Sequence, residues 1–331
     1  MMRITRVSVL VLAAACLAPG ATASAQDGYP SRPIKVFVPY GPGSATDIVI
    51  RIVGEQARQV LGQPLIIENK PGAFGIIAIE EMARAKPDGY TLQVGNAGTN
   101  EVAPIIYKKK FTIDYDRDVT IVTRLTDVPL FLAATTKDFP PATFEEFIAY
   151  AKANPGKVRY ASVGVGSNNH YDTEAFAQAA GIKLLHIPVK AGGAGITNEL
   201  VTGDAQVAFV NAASSVGLVR AGTLRALAVM APNRLAEFPN VRTLSELGFT
   251  GVGSGLWAAL YAPAATPRPV LETLHKAMVT SLNSPAVLDA FKKQMINAAP
   301  SATLEDAQAW NRRELAYWTR VISEVKVELP E

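Results

Sequence analysis

The chain is poor in the residues from which most catalytic and metal centres are built. Its 331 residues include one cysteine and three histidines, which are His170, His186 and His275. The histidines are too scattered for an H-x-x-x-H pair or a similar metal-ligand spacing. A G-x-S-x-G elbow and a G-x-x-x-x-G-K-[ST] phosphate loop are both absent. We therefore expect neither an enzyme nor a protein with a metal or cofactor.

A strong excess of one charge is also missing. The chain has 32 Lys and Arg against 29 Asp and Glu side chains, a formal net charge of +3. Two of the basic residues, Arg3 and Arg6, lie in the N-terminal leader. A nearly neutral chain without a long basic run argues against nucleic acid as a partner.

The one strongly apolar stretch lies at the N-terminus. A short basic segment, Met1 to Arg6, precedes "VSVLVLAAACLAPGA", and Ala23-Ser24-Ala25 has the small-x-small pattern of a cleavage site. The sequence predicts a signal peptide over residues 1–25, a mature protein that starts at Gln26, and export to the periplasm.

The single cysteine, Cys16, lies inside this leader. Cleavage after Ala25 removes it and leaves no thiol or disulfide chemistry. A lipoprotein signal at Cys16 is the alternative, although three alanines precede the cysteine where a larger aliphatic residue is usual.

Apolar strand-like runs alternate with helical spacing along the mature chain. In residues 45–61, for example, apolar side chains recur with the helical period. This alternation predicts an α/β fold with parallel sheets and crossover helices. The predicted strands are 33–40, 64–70, 89–99 (running into a small-residue loop), 130–135, 158–164, 184–189, 205–211, 224–231 and 256–263. The predicted helices are 45–61, 75–85, 143–154, 170–181, 195–203, 214–222, 267–283, 284–295 and 303–325.

Extended segments near 120–130 and 250–262 divide this series into two halves. We expect two lobes with a cleft between them, where open α/β folds bind their ligands. The first lobe is predicted to combine residues 26–126 with 255–331, and the second to comprise 127–254.

Glycine-rich loops lead into a helix at corresponding places in both halves. "PYGPGSATD" (39–47) follows the first predicted strand, and "SVGVGSNNHYD" (162–172) repeats its layout. Backbone N–H groups at a helix start carry the positive end of the helix dipole and bind anions. Two such helix starts, one from each lobe, would clamp one anionic ligand. A tight turn whose glycines only permit the bend is the alternative for each loop.

Ordered matches along nearly all of the mature chain then point to a family. They are "YPSRPIKVFVPYGPGSATD" (29–47), "LGQPLIIENKPGAFG" (61–75), "KPDGYTL" (86–92), "AYAKANPGKVRYASVGVGSNNH" (149–170), "GTLRALAV" (222–229) and "PAATPRPVLETL" (263–274). The sequence resembles the extracytoplasmic solute receptors of tripartite tricarboxylate transporters, often called Bug-type receptors. The resemblance implies a two-lobed, type II-like periplasmic-binding-protein fold that closes on a small carboxylate.

Within that family the carboxylate is held by backbone groups and waters at the loop that corresponds here to Pro42 to Asp47. The opposite lobe contributes the loop Gly166 to His170. Together with residues at other strand ends, these loops make up the predicted ligand-binding set. It comprises Tyr40, Pro42, Gly43, Ser44, Ala45, Thr46, Asp47, Ala97, Thr99, Gly166, Ser167, Asn168, Asn169, His170, Lys190 and Asn211.

Several of these residues have a structural alternative that the sequence leaves open. Asp47 would repel a carboxylate and is expected to bond loop N–H groups instead. Thr99 and Asn211 either contact the ligand or order their own loops. His170, expected to be neutral, either caps its helix or contacts the ligand, and Lys190 either pairs with a second carboxylate or is solvated.

Two functions from different classes remain. The first is a receptor that delivers a mono-, di- or aromatic carboxylate to the membrane permease subunits of a tripartite carboxylate transporter. The second is an exported carboxylate sensor that feeds a membrane sensor kinase, and a periplasmic hydrolase is a weaker third. A monomer is expected in each case.

Overall fold

The computed structural model describes residues 28–189, 192–253 and 255–328. The predicted signal peptide (1–25), the mature start at Gln26, Cys16 and the predicted ligand residue Lys190 all lie outside these ranges. Within them, no helix has the length and apolar character needed to cross a bilayer.

The described strands and helices follow the predicted order. The strands are β1 (Ile34–Val38), β2 (Leu65–Asn69), β3 (Thr91–Gly95), β4 (Val119–Val128), β5 (Leu130–Thr135), β6 (Arg159–Ser162), β7 (Leu185–Pro188), β8 (Val207–Asn211), β9 (Leu224–Met230), β10 (Leu256–Pro263) and β11 (Asn297–Ala298). The helices are α1 (Ala45–Leu61), α2 (Ile76–Ala83), α3 (Ala103–Ile106), α4 (Tyr115–Asp118), α5 (Phe144–Ala153), α6 (Asn168–Ala180), α7 (Gly192–Thr202), α8 (Ala212–Arg220), α9 (Arg268–Leu282), α10 (Pro285–Lys293) and α11 (Leu304–Glu324).

The strands form two sheets, each with helices packed on it. The first sheet has the order β11-β4-β10-β3-β1-β2, and the second has the order β7-β6-β8-β5-β9. Only residue 129 separates β4 in the first sheet from β5 in the second, and β10 returns the chain to the first sheet. The α/β fold class with two bodies is therefore confirmed.

The prediction of parallel sheets is only partly correct. The pairs β1–β2, β1–β3, β6–β7 and β6–β8 are parallel, as expected. In contrast, β10 is antiparallel to β3 and β4, and β5 is antiparallel to β8 and β9. The difference arises because β4, β5 and β10 carry the chain between the sheets, so no crossover helix restores their direction.

Helix α1 shows how local sequence positions the first loop. Ser44 is its N-cap, and its hydroxyl accepts a hydrogen bond from the Asp47 N–H. Gly62 ends the helix in the left-handed conformation with φ 68°. The buried face, which includes Ile50 and Val53, packs into the apolar core of the first lobe. Both ends of the predicted helix 45–61 are confirmed.

The segment after β3 differs from the predicted small-residue loop. The backbone continues as a π-helical turn over Gly98–Val102 and then as α3. Asn100 lies inside this turn and forms two hydrogen bonds with Gln93 of β3, at 3.1 and 3.0 Å. This buried amide pair attaches the turn to the strand, and apolar periodicity in the sequence contains no signal for it.

Gly95 makes that amide pair sterically feasible. A Cβ atom at Gly95 would lie 1.7 Å from Asn100 Oδ1 and 2.7 Å from Gln93 Nε2. We predict that Gly95→Ala lowers the free energy of unfolding by about 2–3 kcal/mol through overpacking, as measured by urea denaturation. The matched control is Gly217→Ala in α8, where a Cβ meets nothing within 4 Å. It should be stabilising by about 0.5–1 kcal/mol. Equal effects of the two substitutions would contradict this account.

Candidate functional site

The loop before α1 satisfies most of its own N–H groups. Gly43 N–H donates to Asp47 Oδ2 at 2.9 Å, and Ser44 N–H donates to the Gly41 carbonyl at 3.3 Å. The Asp47 N–H donates to Ser44 Oγ. The N–H groups of Ala45 and Thr46, at the first two helical positions, have no acceptor within the helix. Of the backbone groups in the predicted loop Pro42 to Asp47, the N–H groups of Ala45 and Thr46 are therefore the donors left for a ligand.

Asp47 is a structural centre of this loop. Its buried carboxylate accepts from Arg51, from Asn69 Nδ2 at 2.9 Å and from the Gly43 N–H. Asn69 also donates to the Tyr40 carbonyl at 2.9 Å. Burial by itself would raise the pKa of Asp47, but these hydrogen bonds outweigh it and hold the pKa below 3.8. The predicted loop-ordering role of Asp47 matches this geometry, in which its carboxylate is bonded to the loop, to Arg51 and to Asn69.

The sequence analysis missed Asn96, which follows β3 and joins three parts of the site. Its Oδ1 accepts from the Tyr40 hydroxyl at 2.8 Å and from the Gly98 N–H at 3.0 Å. Its Nδ2 lies 3.5 Å from Thr46 Oγ1. An amide at the carboxyl end of a predicted strand is the signal that could have found it.

Ala97 and Thr99, both in the predicted ligand-binding set, are buried in the segment after β3. Ala97 is fully buried in the core of the first lobe. The Thr99 hydroxyl accepts from Asn96 N–H and donates to Asn100 Oδ1 at 2.8 Å, so its bonding capacity is used inside the turn. Of the two alternatives for Thr99, the geometry favours ordering of its own turn.

The loop before α6 repeats the loop before α1 in its backbone. Gly166 has φ 78° where Gly43 has φ 81°. Ser167 takes the N-cap position of Ser44, and its N–H donates to the Gly164 carbonyl at 3.2 Å. Unlike Ser44, Ser167 makes no side-chain cap, so the remaining donors at the start of α6 are the N–H groups of Asn168, Asn169 and His170. The duplicated layout predicted from the sequence is confirmed.

An imidazole replaces the carboxylate in this second loop. Gly166 N–H donates to His170 Nδ1 at 3.1 Å, just as Gly43 N–H donates to Asp47. The His170 ring stacks on His186 with centroids 3.8 Å apart. Burial and the neighbouring His186 lower the pKa of His170 to about 4. A neutral ring that accepts at Nδ1 is therefore the form at neutral pH, and it caps the loop.

Ser162 and His186 form a contact that superficially resembles a nucleophile–base pair. Ser162 Oγ lies 2.6 Å from His186 Nε2. Ser162 is fully buried, however, and its hydroxyl also contacts the Gly164 backbone. The pair stabilises the loop and does not present a nucleophile to the cleft.

Gly98 of the first lobe and Asn168 of the second lobe lie close to each other. A Cβ atom added to Gly98 would lie 3.3 Å from Asn168 Oδ1 and 3.6 Å from the Tyr40 hydroxyl. Further along α6, Tyr171 belongs to the buried apolar cluster that also contains Val102 and Ala97 of the first lobe. The start of α6 thus lies against the first lobe, beside the loop that leads into α1.

Of the other predicted ligand residues, one is exposed at the surface and two order their own loops. Pro42 is exposed beside the first loop. Asn169 Oδ1 accepts from Ser167 Oγ at 2.8 Å, which orders the second loop. The Asn211 carbonyl accepts from the hydroxyls of Ser214 and Ser215 at the start of α8. Among the described residues, no cluster of three or more His, Cys, Asp or Glu side chains is able to hold a metal ion.

Comparison with known proteins identifies the family. A model of the "Tripartite tricarboxylate transporter family receptor" matches residues 49–327. This chain belongs to that family. Protein BugT of Bordetella pertussis is 31% identical over 304 residues, which cover 92% of each chain. A second protein of the same species, named only as a UPF0065 protein, is 36% identical over 279 residues, covering 84% of this chain and 85% of the relative.

Solved structures of receptors agree with this assignment. The periplasmic binding protein BugD is 31% identical with a TM-score of 0.76, over 91% of this chain and 99% of BugD. MatC from Rhodopseudomonas palustris, solved with bound malate, is 29% identical with a TM-score of 0.75, over 88% of this chain and 99% of MatC. The predicted periplasmic-binding-protein fold and the resemblance to Bug-type receptors are confirmed, and these homologues are solute-binding receptors.

We predict that Gly98→Ala weakens ligand binding without unfolding the protein. Gly98 does not have a positive φ, so alanine is accommodated by the backbone, but its Cβ crowds Asn168 in the opposite lobe. We expect a loss of affinity of about tenfold, equivalent to about 1.4 kcal/mol, in calorimetric titration. Gly41→Ala is the matched control on the same rim, because its Cβ meets nothing within 4 Å. If the Gly98 variant binds as tightly as the Gly41 variant, the two lobes do not close at this contact.

Proposed function

We propose that this protein is a periplasmic receptor that binds a small organic carboxylate and delivers it to the permease subunits of a tripartite carboxylate transporter. The observation that carries the proposal is the pair of matching helix starts, α1 and α6, which lie on opposite lobes and come together near Gly98 and Asn168. Family membership supports the delivery step, and relatives solved with malate and with adipate support the ligand class.

The proposed anion site uses neutral donors. The N–H groups of Ala45 and Thr46 would bind the carboxylate from the first lobe, and those of Asn168 and Asn169 would bind it from the second. Each helix start contributes roughly half a positive charge, and each hydrogen bond to a charged group contributes about 1.5–3 kcal/mol. Arg51, a cation close to the first loop, is already paired with Asp47 at 2.9 Å.

Other members of the predicted set take supporting roles in this proposal. Tyr40, together with Asn96, positions the first helix start, whereas Asp47 and His170 complete the two loops. Gly43 and Gly166 supply the positive φ that each loop requires. Lys190 remains a prediction for the contact with a second carboxylate.

Charge reversal at the second helix start tests the carboxylate site. Asn168→Asp places an acid at the first position of α6, where the helix dipole favours it, so folding should be unaffected. Two like charges about 5 Å apart at an effective dielectric constant of about 20 repel by about 3 kcal/mol. We therefore predict about a hundredfold weaker binding of malate, adipate or benzoate, whichever binds the parent best in a thermal-shift screen.

The matched control changes the same charge on the same helix. Gln178→Glu lies on an exposed position ten residues further along α6, about 15 Å away. It should retain the parent affinity in calorimetric titration. If Asn168→Asp binds as tightly as Gln178→Glu, the anion does not lie between the two helix starts. Uptake of the labelled acid by receptor-deficient cells, complemented with parent or variant, tests delivery.

We also propose that residues 26–126 with 255–331, and residues 127–254, close as two rigid lobes. In support, the first sheet draws its strands from residues 34–128 and 256–298, and the second draws them from 130–230. A cavity of about 280 Å³ at the crossings, lined by residues of both lobes, leaves room for bending there.

We predict that saturating ligand lowers the radius of gyration measured by small-angle scattering. The reason is that ligand donors lie on both lobes, so binding favours the closed form. Asn168→Asp at the same ligand concentration provides the control and should keep the larger radius. An unchanged radius in the ligand-saturated parent would contradict closure.

A further inference from the structure

Glu101 is a buried acid that the sequence analysis did not single out. It lies in the π-helical turn Gly98–Val102, and none of its surface is exposed. Among the described residues, neither of its carboxyl oxygens has a hydrogen-bond partner. Buried polar groups nearly always have such a partner, so an acid of this kind requires an explanation.

The groups that face Glu101 are acids and tyrosines. Glu314 faces it from α11, Asp116 and Tyr115 face it from α4, and Tyr261 faces it from β10. Burial raises the pKa of Glu101 well above 4.5, and the negative charges of Glu314 and Asp116 add to the rise. An ionised Glu101 would have neither a counter-charge nor a donor, and such burial is strongly unfavourable. Burial without a partner therefore favours the neutral carboxylic acid over the carboxylate at this position.

The carboxyl group of Glu314, unlike that of Glu101, has a hydrogen-bond donor. Its Oε2 accepts from the Trp257 indole N–H at 3.0 Å, and Arg124, Asp127 and Arg313 also face it. Burial nevertheless raises the pKa of Glu314 to about 7. A negative charge on Glu314 opposes loss of the proton from Glu101.

The turn that holds Glu101 also holds the contact between the lobes. Gly98, which faces Asn168, is the first residue of this turn, and Asn96 caps it through the N–H of Gly98. The next residue after Glu101, Val102, lies in the same buried apolar cluster as Tyr171 of α6. A displacement of Glu101 would therefore move Gly98, which lies beside Asn168 of α6. Through Asn96 it would also shift the start of α1.

We propose that Glu101 is a positioning residue whose neutral, protonated form keeps the Gly98–Val102 turn in place for ligand-induced closure. Loss of its proton puts an unpartnered charge into the core, so the turn is displaced and ligand affinity falls. This inference rests on the proposed receptor function. It adds a dependence of ligand affinity on pH that comes from Glu101 and not from the anion-binding loops.

The test is calorimetric titration between pH 5.5 and 9.5 of the parent, Glu101→Gln and Glu314→Gln with the best ligand among malate, adipate and benzoate. The parent should lose at least tenfold in affinity towards the alkaline end. Glu101→Gln, which is uncharged at every pH, should bind within threefold of the parent at pH 6 and show a flat profile. Glu314→Gln should show the decline at lower pH than the parent, because removal of the neighbouring negative charge makes Glu101 easier to ionise.

Other outcomes would overturn the proposal. A flat parent profile, or a decline that persists in Glu101→Gln, would show that Glu101 does not set the affinity. A decline in Glu314→Gln at unchanged or higher pH would contradict the coupling between the two acids. If Glu101→Gln does not fold, the proposal is tested by Glu314→Gln alone: the pH at which affinity declines must be lower than in the parent. Absence of binding by the parent at every pH would instead contradict the proposed function and the choice of ligand class.

Discussion

The carboxylate of Asp47 is the interaction on which the first half of the site depends. Its oxygens accept hydrogen bonds from the Gly43 N–H, the Arg51 guanidinium and the Asn69 amide, and Asn69 in turn donates to the Tyr40 carbonyl. These bonds join the end of β1, the glycine loop, the first turns of α1 and the end of β2. Because the N–H groups of Gly43, Ser44 and Asp47 are bonded inside the loop, the donors left over are those of Ala45 and Thr46 at the helix start. In the proposed anion site, a negative residue thus helps to order the loop that offers the donors.

The second lobe reaches the same geometry with different chemistry. His170 accepts the Gly166 N–H in the way that Asp47 accepts the Gly43 N–H, but its ring is neutral and stacked on His186. A second carboxylate at this position would add another negative charge beside the proposed anion site. The imidazole supplies an acceptor for the loop N–H without that charge.

Local patterns in the sequence predicted most of the fold. Helix α1 and the strands β5 and β10 begin and end where the apolar spacing and turn residues indicated. The antiparallel direction of β5 and β10 was not predictable in this way, because periodicity describes which face is buried and not which strand lies alongside. The π-helical turn was missed because the Gln93–Asn100 amide pair, not apolar spacing, stabilises it. In the site, the two loops were found from their glycines, and the local bond between Asp47 and the Gly43 N–H was expected. Asn96 was missed because its contacts with Tyr40 and Thr46 join segments that are distant in the sequence.

The position of β10 has a consequence for how the chain acquires its structure. β10 lies between β3 and β4, although it follows them by more than a hundred residues along the chain. The second sheet has all its strands once residue 230 has been made or exported, whereas the first sheet lacks an interior strand until residues 256–263 arrive. The strands of the second sheet are thus an uninterrupted insertion, complete in the chain while the first sheet still lacks β10. Until β10 is added, β4 is separated from β3, β1 and β2, so the two parts of the first sheet have no strand to join them.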